Sequence, residues 1–298
     1  MKTAVLIPCL NEVATIEKVI NQFKACLDDA TIYVYDNGST DGTAEKAENA
    51  GAKVKREFSL GKGNVVRRMF AEIDADVYLL IDGDDTYDSQ AAKDLVEHLI
   101  NEDLDMVVGA REGDTGRIGH KTGNKLFNRL YCWLFGNGFT DIFSGYRVFS
   151  RAFVKSFPAT STGFEIETEM SVHASQLCLP SSEIITRYSP RSEGSVSKLR
   201  TIPDGFKILK AIFVLLSENR PLFFFGSLSA ISALFAAILG IPVIVEYADT
   251  GLVERLPTAI LSTGLVLIST FLLAVGMLLD ALKRSRIEVK RIAYLQFR

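Results

Sequence analysis

Cysteine is sparse in this 298-residue chain: Cys9, Cys26, Cys132 and Cys178 stand far apart, with no C-x-x-C pair and no ligand-like spacing to the three histidines. Structural zinc is excluded, and a reduced cytoplasmic compartment is expected. Excess charge of one sign is also lacking. The formal net charge of -3 offers no general attraction for nucleic acid, so no nucleic-acid partner is expected. Met1 to Leu10 is a short apolar run without the longer apolar core and cleavage site of a signal peptide; it reads as a first buried strand, and this end is expected not to be exported. That strand runs into Pro8-Cys9-Leu10-Asn11-Glu12 with no glycine-rich turn. The G-x-G-x-x-G fingerprint is missing where it should be, which argues against a dehydrogenase.

Charge is missing altogether from two stretches, Leu222 to Val245 and Leu256 to Leu279. Each would be roughly 36 Å long as a helix, against a hydrocarbon core of about 30 Å. Soluble helices seldom stay uncharged on every face, so both are expected to span a bilayer rather than to form a buried hairpin. Their link carries Glu246, Asp249 and Glu254 against Arg255 alone. Lys207, Lys210 and Arg220 precede the first span, and Lys283, Arg284, Arg286, Lys290, Arg291 and Arg298 follow the second. The positive-inside rule then places both ends in the cytoplasm, as an integral protein of the cytoplasmic membrane. Phe206, Leu209, Phe213 and Leu216 recur at helical spacing before the first span. They suit either an interfacial helix or one packed on the soluble domain. The expected organisation is a cytoplasmic catalytic domain over 1–200, a juxtamembrane amphipathic helix over 201–221 and a two-span hairpin with a basic tail over 222–298.

In the first two thirds, apolar runs alternate with helical patterns. Ala4 to Ile7, Thr31 to Tyr35, Val77 to Ile81 and Met106 to Gly109 read as strands buried on both faces, and Ile16, Val19, Ile20, Phe23 and Leu27 as a helix stripe. This series implies an α/β fold with a mostly parallel, doubly wound sheet, whose ligands lie beyond the carboxyl ends of the strands.

At that edge, Asp82-Gly83-Asp84-Asp85-Thr86-Tyr87-Asp88 places four carboxylates within seven residues. Like charges this close raise one another's pKa unless a cation joins them, and oxygen-only ligands favour Mg²⁺ or Mn²⁺. A calcium loop would need Gly and Glu where Tyr87 and Lys93 stand. A turn capping a helix from about Ser89 accounts for Asp88 but scarcely for Asp82 and Asp84. The second strand ends in Asp36-Asn37-Gly38-Ser39-Thr40-Asp41-Gly42-Thr43, where Asp36 can accept from a base or ribose and Thr40 or Asp41 caps the next helix. Gly61-Lys62-Gly63 opens another helix, and its free amides and Lys62 would suit a phosphate.

In combination these stretches resemble the family 2 glycosyltransferases, which have the glycosyltransferase-A fold. The resemblance covers roughly the first two hundred residues and is specific as a conjunction. It implies a nucleotide-diphosphate sugar donor, with Pro8, Glu12 and Asp36 around base and ribose, and Asp82 and Asp84 around the phosphates and a metal. Asn11, Gly38, Ser39, Lys62 and Gly83 in the matching stretches join the donor site. Gly109-Ala110-Arg111, Gly123 to Leu126, Asp141 to Arg147 and Arg191 to Lys198 look like the subgroup that loads sugars onto polyprenyl phosphates. That likeness adds Arg111 to the donor site, and Asp141, Arg191 and Lys198 to Asp84 as catalytic candidates. This chain departs from it at Asp85-Thr86, where many members carry Leu-Gln, and in the Gly194 to Lys198 spacing.

Arg117, Lys121, Lys125 and Arg129 recur every fourth residue beside Phe127, Leu130, Tyr131, Trp133, Leu134 and Phe135. On a helix the cations share one slowly drifting face, suited to an acceptor phosphate just above the membrane; a solvated basic face is the bland alternative. Glu165, Glu167 and Glu169 alternate as on an edge strand and stay without a role. The expected reaction is an inverting displacement by a polyprenyl-phosphate oxygen, whose ionisation makes a strong base unnecessary. Asp141 would orient the acceptor or help hold the metal, with a role as base the remaining alternative. A sugar nucleotidyltransferase would need a glycine-rich N-terminal loop, and a processive synthase a Gln-x-x-Arg-Trp motif; neither occurs. Another glycan or lipid acceptor, and a non-catalytic membrane scaffold, are the alternatives. Oligomeric state is not readable, and homo-oligomers are compatible.

Overall fold

Seven strands, β1 (Thr3–Cys9), β2 (Thr31–Asp36), β3 (Lys53–Arg56), β4 (Val77–Leu80), β5 (Met106–Glu112), β6 (Arg147–Ser150) and β7 (Ser181–Arg187), form one sheet. The structure is a computed structural model and describes residues 1–112, 131–133, 139–163, 165–189, 214 and 216–298. The strand order is β3-β2-β1-β4-β6-β5-β7. Every pairing is parallel except those of β6, which runs antiparallel between β4 and β5. β1 and β4 are central, and Val5, Leu6, Ile7, Leu79 and Leu80 are wholly buried, each contributing about 1.5–3 kcal/mol of apolar burial.

Among the described residues, the helices named between strands are α1 (Ile16–Cys26), α2 (Thr43–Asn49), α3 (Lys62–Glu72), α4 (Ala91–Asn101), α5 (Arg151–Ser156) and α6 (Ile166–Leu177). On α1, the stripe Ile16, Val19, Ile20 and Phe23 is buried as its spacing predicts. Chain order reverses at β1: β2 and β3 lie on one side, β4 on the other. Such a switch point opens a crevice beyond the strands' carboxyl ends, where the Pro8, Asp36 and Asp82 loops emerge.

Two compact units divide the chain: 1–202 with Val289–Arg298, and Pro203–Glu288. The second contains most of two long helices, α7 (Pro221–Thr250) and α8 (Leu256–Leu295), each long and apolar enough to cross a membrane. Serines knit this hairpin. Ser229 Oγ donates to the Ser269 carbonyl at 2.8 Å, Ser269 Oγ returns to the Ser229 carbonyl at 3.0 Å, and Ser232 Oγ reaches the Leu265 carbonyl at 2.9 Å. A Cβ at Gly240 would stand 2.4 Å from Ser262 Oγ, so the backbones approach closely there, as small residues allow between helices in lipid.

The last residues of α8, grouped with the hairpin by the sequence pattern, pack in the first unit. Tyr294 donates its hydroxyl to the buried Asp105 at 2.8 Å, Arg298 pairs with Asp103 at 2.6 Å, and Arg291 donates to the Leu177 carbonyl at 2.9 Å.

Candidate active site

The loop after β1 is tied to the loop after β2. Asn11 has a φ of 53°, a conformation Asn tolerates better than most residues. Its amide donates to Ser39 Oγ at 2.8 Å, and its side-chain oxygen accepts from the Thr40 amide at 2.9 Å. Asp36 is buried and accepts from the amides of Gly38 and Ser39. The expected donor-site aspartate thus also shapes its own turn. Asp41, one of two expected caps, accepts from the Thr43 amide at 3.0 Å where α2 begins. Asn37, which the sequence pattern did not single out, fastens the next loop: it donates to the Ser59 carbonyl at 2.8 Å and accepts from the Gly61 amide at 2.7 Å.

The start of α3 differs from the expected phosphate cradle. The Gly61 amide is taken by Asn37 and the Gly63 amide by the Thr162 carbonyl. The Lys62 ammonium is turned instead to Asp82 at 2.5 Å and Glu167 at 2.6 Å. Burial works against its charge, but these carboxylates hold it above its ordinary pKa. Glu167 is pushed up by burial, against the pull of Lys62. The Glu165 to Glu169 alternation is the entry to helix α6, not an edge strand, and Glu169 secures Thr160 and Ser161. Two of these glutamates point at different partners because successive helical residues turn by about 100°.

The four carboxylates after β4 separate by task. Asp82 meets Lys62, with Gly145 packed against it: a Cβ at Gly145 would stand 2.6 Å from Asp82 Oδ2. Asp84 is buried and accepts from Thr86 Oγ1 at 2.6 Å. Asp85 pairs with Lys18, and Asp88 accepts from the Gln90 amide at 2.9 Å within the turn before α4, whose N-cap is Gln90. The Gly83 carbonyl accepts from Thr15 at 2.6 Å, and a Cβ at Gly83 would press on Cys9 at 3.0 Å, so Asp82 and Asp84 are held tightly on the end of β4 against β1. Among the described residues no group of three or more His, Cys, Asp or Glu is gathered as a closed metal cage. Two carboxylates on one short loop still fit Mg²⁺ or Mn²⁺, which commonly takes one or two protein carboxylates and completes its shell with substrate phosphates and water.

Asp141 and Arg111 form a bidentate pair, Nε to Oδ2 at 2.7 Å and Nη2 to Oδ1 at 2.8 Å. Glu183 accepts from the Asp141 amide at 2.9 Å, fixing the loop. Burial would raise the Asp141 carboxyl, yet Arg111 holds it below its ordinary range, so it is a carboxylate and a poor proton acceptor at neutral pH. The Arg111 guanidinium lies 5.4 Å from the Tyr188 ring. Tyr87, buried against Tyr146 and Tyr188, accepts from the Gly145 amide at 2.9 Å and links this pair to the Asp82 loop. Arg147, another residue given no role by the sequence, is fully buried; it donates to the Ile142 and Ser144 carbonyls and to Ser171 Oγ, each at 2.8 Å, and so sets the 141–147 loop.

The structure thus brings Asp82, Lys62, Arg111 and Asp141 around one end of the sheet, with Pro8 and Asp36 at the ends of β1 and β2 and Asn11, Glu12, Gly38 and Ser39 on the loops that follow them. Arg117, Lys121, Lys125, Arg129, Arg191 and Lys198 lie outside the described residues, as do Phe206, Leu209 and Phe213. Of the aromatic set beside the basic stripe, Tyr131 is buried on α6, donating to the Ser171 carbonyl at 2.9 Å, and Trp133 is exposed.

Known proteins resemble this chain in sequence and in fold. Glycosyltransferase AglJ of Haloferax volcanii is 36% identical over 301 aligned residues, covering 98% of this chain and 97% of that protein. A dolichyl-phosphate hexose transferase of the same organism is 28% identical, covering 73% of this chain and 95% of its own. Glucosyl-3-phosphoglycerate synthase from Mycobacterium tuberculosis, solved with Mn²⁺, uridine diphosphate and glucosyl-3-phosphoglycerate, superposes with a TM-score of 0.59 at 25% identity, covering 72% of this chain and 79% of that one. The glycosyltransferase-A sheet is therefore shared, and the sequence model described as glycosyl transferase family 2 matches residues 4–157. With its sheet, its carboxylate loop and its relatives in accord, the chain belongs to glycosyl transferase family 2 and is a glycosyltransferase.

Proposed function

We propose that the chain transfers a hexose, with inversion, from a nucleotide-diphosphate sugar of the UDP-glucose or GDP-mannose type to polyprenyl phosphate at the cytoplasmic face of a membrane. The observation that carries this is the pairing, in one chain, of the Asp82 and Asp84 loop with two apolar helices. The likeness to a dolichyl-phosphate hexose transferase supports the acceptor, and the Mn²⁺ and uridine diphosphate of the mycobacterial neighbour support the donor and cation.

Asp82 and Asp84 would hold Mg²⁺ or Mn²⁺, which when bound neutralises charge on the departing nucleoside diphosphate. The remaining work falls to side chains. The loops of Pro8, Asn11, Glu12, Asp36, Gly38 and Ser39, with Gly83, receive the base, ribose and phosphates. Arg111, braced by Asp141, offers a fixed cationic fork to a phosphate oxygen. Arg117, Lys121, Lys125, Arg129, Arg191 and Lys198 are proposed to collect the acceptor phosphate near the bilayer. That phosphate is largely ionised, since its second pKa is about 6. The depressed Asp141 carboxyl suits this mechanism: it positions Arg111 and takes no proton.

Membranes carrying the protein, incubated with radiolabelled UDP-glucose or GDP-mannose and then extracted with organic solvent, test the reading. Label in the lipid phase with one donor is expected. Label confined to a water-soluble product would reject the lipid acceptor and favour a family 2 enzyme acting elsewhere. Failure to turn over any donor across a broad panel would favour a scaffold.

A further inference from the structure

Lys62, Asp82 and Glu167 come from three distant parts of the chain and form one layered charge cluster. The ammonium lies 2.5 Å from Asp82 Oδ1 and 2.6 Å from Glu167 Oε1. Side-chain exposure falls from 29% at Asp82 to 7% at Lys62 and 5% at Glu167, so Asp82 is the mouth of the cluster and Glu167 its floor. Glu167 Oε2 is buried with no hydrogen-bond partner among the described residues, so the floor keeps acceptor capacity for a second ammonium proton. Gly145 closes one side, where a Cβ would stand 3.0 Å from the Lys62 nitrogen. Asp82 therefore already holds a cation, and that cation is the protein's own.

We infer that Lys62 is a built-in placeholder for the divalent cation, neutralising Asp82 while the metal is away and withdrawing onto Glu167 when the metal takes Asp82. The inference rests on the assignment of Asp82 and Asp84 as the metal-holding pair. Without Lys62, the carboxylates of Asp82 and Glu167 would face one another in a space with little water to screen them. Without Glu167, an ammonium displaced from Asp82 would be left buried beside a dication, which like-charge repulsion and lost solvation both oppose. Glu167 makes the exchange reversible, and both residues are positioning residues for a hard divalent cation.

The full-length protein in detergent is titrated with Mn²⁺ alone, bound ion being read from loss of the free-ion electron paramagnetic resonance signal. Lys62→Met removes the competitor and should tighten Mn²⁺ binding by about tenfold, the scale of one close charge interaction in a protein. Glu167→Gln removes the seat and should weaken binding. In Lys62→Met/Glu167→Gln the second substitution should weaken binding less than it does alone, because Glu167 acts mainly through Lys62. Where Lys62→Met does not fold, Lys62→Gln serves the same cycle, since its amide can still donate to Glu167. Equal affinities in all variants, or effects that simply add, would overturn the placeholder and leave the metal site standing. Wild-type protein that binds no Mn²⁺ would overturn the metal site and the placeholder together.

Discussion

At Asp141 two oxygens meet two guanidinium nitrogens of Arg111, and this geometry decides what each can do. An aspartate that already neutralises an arginine cannot be an effective base, but it can keep that arginine's fork facing one way. Asp141→Asn keeps the shape and removes the charge; turnover should fall by about ten- to a hundredfold, as for other residues that orient a binding group. The acid limb of the pH–rate profile should stay in place, whereas a shift in that limb would make Asp141 the base. His173 offers a separate test of the core. It is buried against Phe153 and Phe157, with Nε2 3.1 Å from Ser156 Oγ, and burial lowers its pKa from 6.5 to about 3. Between those values the unfolded chain binds a proton that the fold refuses. Stability should therefore fall as pH drops through 6.5 toward 3, by at most about 1.4 kcal/mol per pH unit from this group. Melting curves of His173→Gln from neutral to acid pH should show a shallower loss than wild type; an equal slope would mean that His173 titrates normally.

Among the elements, the end of α8 carries an unexpected load. Lys290, Arg291 and Arg298 read from the sequence as topology charges, yet they bond to Gln176, Leu177 and Asp103. Tyr294 reaches Asp105, which also accepts from Ser150 at the end of β6. Tyr294→Phe removes one donor from a buried carboxylate and should cost about 1–3 kcal/mol in denaturation of the purified protein; unchanged stability would mean that the tail is not docked. The elements that escaped the sequence share a cause. β3 is an edge strand in which only Val54 is partly buried, so Lys53, Lys55 and Arg56 hide it among loops. β7 lies at the other edge with little burial. β6 is four residues long and opens with an arginine whose charge is buried in backbone carbonyls, a pairing that periodicity cannot show. β1, β2, β4 and β5 were legible because apolar runs bury both faces.

For the whole molecule, the same contrast holds at the site. The place of Asp82 and Asp84 at the carboxyl edge of the sheet was legible from carboxylates crowded after a buried strand, and the matching motifs supplied the family. Lys62 stood out in the sequence as a phosphate ligand, whereas its partner Glu167 is more than a hundred positions away and gave no signal of the pairing. The hairpin was visible as two uncharged runs, while its serine-to-carbonyl bonds needed coordinates. A sugar-transfer unit and two apolar helices in one chain are economical if the product stays in the bilayer. Transfer of radiolabel from UDP-glucose or GDP-mannose into the lipid extract of membranes, with wild type and Asp84→Ala compared at saturating Mn²⁺, tests that claim most directly. The account predicts lipid-borne label from wild type with one donor, lost on chelation and absent in Asp84→Ala. Label that survives both the chelator and Asp84→Ala would contradict it.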